Sequence, residues 1–169
     1  MLPSDQEPAK LPVAKIAIFA DVQNIYYTTR QAFGWQFNYQ SLWERVSAKG
    51  EIVAATAYAI DRVDDQQRKF QDALRKIGFY VKLKPYIRRR DGSAKGDWDV
   101  GIAIDVLEAA RDVDTVVLLS GDGDFDLLLS KVRKDYDVSA EVYGVPALTA
   151  NSLIEAASTW HAIDSALLL

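Results

Sequence analysis

The sequence predicts an α/β protein: a central, mostly parallel sheet of about five strands with helices packed on both faces. Three observations lead there. Short, continuous apolar runs recur along the chain, the pattern of strands covered on both sides rather than one. Stretches with a helical apolar period separate those runs, and glycine, proline or acidic residues mark the junctions. At 169 residues and 49% hydrophobic content, the chain has the size of one domain with one substantial core.

Taken in order, residues 1–14 carry three prolines and mixed charges and are expected to form a flexible leader, with a single domain over 15–169. Residues 16–20 (IAIFA) read as a buried strand ending in Asp21. Asn24 then falls in the turn before a helix over 25–33, and a second helix is expected over 39–48, closed by Gly50. Residues 51–60 (EIVAATAYAI) form the next apolar strand. The period of Phe70, Leu74 and Ile77 predicts an amphipathic helix over 65–77, with Gly78 as its cap. Residues 79–87 alternate like a strand, and Pro85 favours a place at the sheet edge.

Beyond it the character changes. Residues 88–98 hold Arg88, Arg89, Arg90, Lys95 and Trp98 among two glycines, which reads either as a solvated loop or as an arm contacting phosphates, with Trp98 stacking on a base. A mostly apolar helix is expected over 99–110. On a helical wheel Gly101, Asp105, Glu108 and Asp112 form a polar stripe opposite Val100, Ala103, Ile104 and Leu107, so Asp105 and Glu108 are expected to face solvent. Asp97 and Asp99 lie at that helix's start, placed to cap amides or to reach a neighbouring site. A strand over 115–119, an acidic loop, a helix over 125–136, a strand over 138–143 and a closing helix over 151–168 complete the chain. His161, in that closing helix, is expected to be structural, and the apolar tail 166–169 to pack in the core or to mediate self-association into a homo-oligomer.

Composition excludes several kinds of chemistry. With no cysteine there are no disulfides and no thiolate metal sites, and a single histidine rules out any site built on two. No apolar run approaches the roughly 20 residues of a membrane span, and no export signal is seen, so a cytoplasmic location without membrane contact is expected. The net charge of -4 lacks the basic excess of many nucleic-acid binders, so local clustering matters more than the total.

The chemistry is expected to converge on Ser120-Gly121-Asp122-Gly123-Asp124-Phe125-Asp126, just after the strand over 115–119. Carboxylates at alternate positions between glycines suit a divalent cation. Ligands in an open parallel sheet bind at the carboxyl ends of strands where strand order reverses. If the strands ending at Asp21 and before Asp122 and Asp124 are neighbours there, these acids share one cleft. So many like charges require a cation among them, and oxygen-only donors favour Mg²⁺ or Mn²⁺. Asp126 is expected in the first turn of the next helix, with only a dipole role. Ser120 reads equally as a phosphate contact and as a turn residue supporting the loop.

Three segments also carry a resemblance. Asp21-Val22-Gln23-Asn24, then Lys95-Gly96-Asp97-Trp98-Asp99-Val100 with Ala103-Ile104-Asp105, then Leu119-Ser120-Gly121-Asp122-Gly123-Asp124-Phe125 resemble the motifs of the NYN domain family, and more narrowly its LabA-like (DUF88) branch. The likeness spans residues 16–143. It implies a PIN-like α/β/α fold and a metal-dependent ribonuclease acting on RNA, single-stranded or structured. By motif position Asp21, Asp99, Asp122 and Asp124 would be the catalytic, metal-binding acids, with Asn24, Ser120 and Asp97 in support. Asp105 also matches an acid of the pattern, against the wheel reading. Arg88, Arg89, Arg90, Lys95 and Trp98 would guide the RNA. A phosphoaspartyl phosphatase would need an aspartate where Gln23 stands, and a receiver domain would need paired acids that Ala20-Asp21-Val22 does not supply. The rival from another class is a non-catalytic RNA-binding or regulatory module that retains the acidic pocket.

Overall fold

The structure, a computed structural model, describes residues 13–85 and 97–169, together with the backbone of 87–88 and 94–95. The leader expected over 1–14 thus lies almost wholly outside the described residues.

The elements follow the expected alternation. Strand β1 (Lys15–Asp21) leads into α1 (Val22–Phe33) and α2 (Tyr39–Ser47); β2 (Glu51–Asp61), α3 (Asp65–Ile77) and β3 (Tyr80–Pro85) come next. Two short strands, β4 (Ile87–Arg88) and β5 (Ala94–Lys95), pair antiparallel with each other apart from the main sheet. The chain continues through α4 (Asp99–Ala109), β6 (Thr115–Leu119), a 3-10 turn (Gly123–Phe125), α5 (Asp126–Asp135) and β7 (Ser139–Gly144). It closes with a short α6 (Asn151–Ala156), β8 (Thr159–Ala162) and a last 3-10 turn (Ser165–Leu167).

The six strands of the main sheet lie in the order β3-β2-β1-β6-β7-β8, and every neighbouring pair is parallel. From β1 the chain builds outward to β3, then returns to the other side of β1 with β6. The reversal of strand order falls between β1 and β6. Their register runs from Ile16 opposite Thr115 to Ala20 opposite Leu119, so the next residues, Asp21 and Ser120, leave the sheet side by side.

Alternation along the strands sends side chains to two cores. Ile16, Ile18, Ala20, Val117 and Leu119 face α1, α2 and α3, meeting Ile25, Leu42, Val46 and Leu74. Ala17, Phe19, Val116 and Leu118 face the other way, onto Ile102, Val106, Leu129, Val132 and Leu153. The sandwich of helices on both faces is what the uninterrupted apolar runs require.

Two expectations are corrected. The closing helix over 151–168 is instead six helical residues followed by a strand, because β7 would otherwise present an unpaired edge. Ser158 begins that pairing, its backbone donating to the Ala140 carbonyl at 2.7 Å and its hydroxyl accepting from the Ala140 amide at 2.8 Å. His161 therefore sits in β8, where Nε2 lies 2.6 Å from Glu141 Oε1 and the ring stacks on Tyr143. The second correction concerns α4. Val100 and Ile104 are 72% and 56% exposed, whereas Ile102 and Val106 are fully buried, so the wheel was rotated away from its true orientation. The apolar tail packs into the first core through Leu167, with Leu169 left at the surface.

Candidate metal centre

The site is built at the carboxyl edge where β1 and β6 part. Asp21, the last residue of β1, is only 9% exposed, and its Oδ2 accepts from the fully buried Ser120 hydroxyl at 3.0 Å. The same Ser120 oxygen accepts from the Asp122 amide at 3.1 Å. One hydroxyl thus fixes the end of β1 to the start of the loop. Asn24, in the first turn of α1 rather than in the turn before it, adds a second tie: its Oδ1 accepts from the Gly121 amide at 2.9 Å. Gly121 has no room for a side chain, since a Cβ there would sit 2.6 Å from the Leu148 carbonyl oxygen. The loop is pinned from both sides.

Past Gly121 the chain turns outward. Asp122 caps the 3-10 turn, its Oδ1 accepting from the Asp124 amide at 2.9 Å. Asp99 comes from another direction, as the first residue of α4, and its carboxylate does not cap that helix. Asp99, Asp122 and Asp124 each present a carboxylate oxygen, and these oxygens lie within 4.8 Å of one another. Three hard oxygen donors converging from two elements fit a divalent cation such as Mg²⁺, Mn²⁺ or Ca²⁺.

Electrostatics points to the same place. Burial pushes the Asp99 carboxyl up to about 7, aided by the charges of Asp122, Asp97, Asp21 and Asp124. Asp21 is raised to about 6, chiefly by burial, with the Ser120 hydrogen bond opposing the shift. A carboxyl raised by burial beside other carboxylates is a group short of a counter-charge. Asp21 lies outside the trio of converging oxygens, yet it belongs to the same field. Asp126 stays apart, its Oδ1 accepting from the Leu127 amide at 2.6 Å.

The remaining expected residues divide. Asp97 is exposed, and its Oδ1 accepts from the Asp99 amide at 3.3 Å, which steadies the first turn of α4. Asp105 does not face solvent: its Oδ2 accepts from Tyr58 Oη at 2.7 Å and pairs with Lys82 Nζ at 2.6 Å. It anchors α4 to β2 and β3 and is no part of the converging trio. Trp98 is not a free stacking platform. Its Nε1 donates to the Ala59 carbonyl at 2.9 Å, its ring meets Tyr58, and Lys84 Nζ stands 4.4 Å from the ring centre. Of the cationic arm, Arg89 and Arg90 lie outside the described residues; Arg88 and Lys95 contribute only backbone, in β4 and β5.

Sequence reasoning missed Lys82 and Lys84, which hold Asp105, Trp98 and, through Lys84 Nζ donating to the Asp97 carbonyl at 2.9 Å, the entry to α4. Their signal was the alternation of β3, which puts both lysines on one face.

Comparison with known proteins follows the same outline. The NYN domain model matches residues 15–164. A relative, the Low amplitude and bright protein LabA of Synechococcus elongatus, is 31% identical over 128 residues, covering 71% of this chain and 68% of that protein. The crystal structure of a protein of unknown function from Vibrio parahaemolyticus shares 53% identity with a TM-score of 0.88, covering 93% of this chain and 97% of that one.

Proposed function

The chain belongs to the NYN domain family, and on that premise we propose that it is a metal-dependent ribonuclease that hydrolyses RNA phosphodiester bonds at its aspartate cluster. The observation that carries the reading is the convergence of Asp99, Asp122 and Asp124 within 4.8 Å at the point where strand order reverses. Those three, with Asp21 beside them, would hold Mg²⁺ or Mn²⁺. Such an ion supplies Lewis-acid polarisation of the scissile phosphate and a more acidic water.

The chain's own residues supply the rest. Ser120 and Asn24 keep the loop and the end of β1 in fixed relation, so the acids are positioned before substrate arrives. Asp99 or Asp124 accepts the proton that the attacking water loses as its oxygen bonds to phosphorus. The bond from phosphorus to the 3'-oxygen breaks as the new one forms, and that oxygen takes a proton from solvent to leave as the 3'-hydroxyl. Lys84 and Lys82 hold α4, and hence Asp99, against the sheet edge. Arg88, Arg89, Arg90 and Lys95 are proposed to draw the RNA backbone towards this otherwise negative cleft.

Labelled single-stranded and structured RNAs incubated with Mn²⁺ or with chelator test the reading. Cleavage that needs the metal and disappears in Asp122→Asn supports it. The amide keeps the Oδ1 cap on the Asp124 amide, so the loss is one of charge rather than of loop structure. Intact RNA across a broad panel, despite measurable binding, would instead identify a non-catalytic RNA-binding or regulatory module.

A further inference from the structure

A groove of about 950 Å³ runs between α1 and α3, on the side of the sheet away from α4. Val22 and Gln23, which directly follow Asp21, line one end of it, and Trp35 and Gln36 line its wall beyond the far end of α1. The twelve residues of α1 make this a path of about 18 Å. Its rim carries three exposed rings, Tyr26, Tyr27 and Trp35, at 43%, 50% and 63% exposure. It also carries Arg30, Arg62 and Lys69, and none of its described lining residues is acidic. In a chain with 24 acids against 20 basic residues, a wall of cations and aromatic rings beside the aspartate cluster is a local reversal of charge.

The rings are placed for use. Tyr26 and Tyr27 meet edge to face at 5.4 Å, and the Arg30 guanidinium lies 5.8 Å over Tyr26 while donating to its hydroxyl. Arg62 donates to Tyr27 Oη at 3.5 Å, tying the loop after β2 to α1. Rings braced in this way lose little freedom when a base stacks on them. Large apolar rings left exposed beside cations complement a strand that offers flat bases and phosphates together. A duplex, whose bases are already stacked inside, offers only the phosphates.

We propose that this groove binds single-stranded RNA, its bases stacking on Tyr26, Tyr27 and Trp35 and its phosphates meeting Arg30, Arg62 and Lys69, and that it delivers the strand to the aspartate cluster. The inference rests on the ribonuclease reading only for the delivery step; the binding step stands on the groove alone.

The test separates the two. Binding of a short fluorescein-labelled oligouridine is measured by anisotropy on the Asp122→Asn protein in chelator, where no cleavage occurs. Trp35→Ala and Tyr27→Ala are each expected to weaken binding about tenfold or more. Trp35→Phe keeps a ring and should retain most of the affinity while losing the tryptophan quenching that binding produces. Lys69→Gln should flatten the salt dependence of binding. Unchanged affinity in both alanine variants overturns the proposal, as does equal affinity for a duplex of the same length. Concentration-dependent dimerisation that Trp35→Ala abolishes also overturns it, because a second copy then occupies the groove. Groove-dependent binding without any metal-dependent cleavage by the unsubstituted protein would leave this inference standing and remove the ribonuclease reading.

Discussion

At the scale of single residues, the centre depends on how few atoms connect its parts. Ser120 Oγ donates to Asp21 and accepts from the Asp122 amide, so one buried hydroxyl sets both the strand end and the loop. Asp99 has no such partner among the described residues, and burial with four neighbouring acids raises its carboxyl to about 7. Replacing it with an uncharged isostere should therefore have opposite effects on stability and on activity. Asp99→Asn is expected to abolish Mn²⁺-dependent cleavage while raising the melting temperature of the metal-free protein near pH 8 by about 2 °C. That figure is small because Asp99 is partly exposed and water screens it. Calorimetry on the two proteins in chelator checks it, and a lower melting temperature in the variant would mean that Asp99 stabilises the fold. Asp21, Asp122 and Asp124 were legible in the sequence because they lie next to uninterrupted apolar strands, where a carboxylate has no packing role. The inward turn of Asp105 was not, because its partners Tyr58 and Lys82 come from strands 47 and 23 positions away.

At the scale of elements, α4 is the mobile part of the design in sequence terms and the fixed part in space. Its two apolar sides, Val100 with Ile104 and Ile102 with Val106, are nearly equivalent in hydrophobicity, so periodicity alone does not choose which faces the sheet. The choice is made by the Lys82–Asp105 pair and by Trp98 bound to the Ala59 carbonyl. Lys82→Met should leave Asp105 with Tyr58 alone, cost about 1 kcal/mol in urea unfolding and weaken Mn²⁺ binding through misplacement of Asp99. Adding Asp105→Leu should recover stability but not metal binding. Recovery of neither would show that the pair does more than hold the helix. The closing segment failed for a related reason. Residues 151–168 contain good helix formers, and only Thr159 and Trp160, flanked by Ser158 and Asp164, hinted at a strand; the deciding influence was the open edge of β7. Where an element's state was set by its own residues, as for α3 over Asp65–Ile77, the sequence and the structure agree to the residue.

At the scale of the whole molecule, the cluster links protons to stability, and the proposed cation would join that linkage. Asp21 and Asp99 titrate near 6 and 7 in the fold, above the ordinary carboxylate value of 3.8, so the folded state holds protons that the unfolded state releases. Stability from these groups is complete below about pH 4 and is lost as pH rises through 6 and 7. A cation held by the proposed centre would displace those protons and would bind only the folded state. The rise in melting temperature on adding Mn²⁺ should therefore be larger near pH 8 than near pH 5.5, as thermal scans at both values will record; equal rises would disconnect these two acids from the metal. The strand order adds a consequence in time. Ser120 and Asp21 are 99 positions apart, and β1 can pair with β2 long before β6 joins its other side. During synthesis the edge of β1 that will carry the centre stays open until most of the chain has emerged, so the acids remain apart through the early stages of folding. A cation that needs all of them can then act only after that last closure, slowing escape from the native state rather than hastening arrival at it.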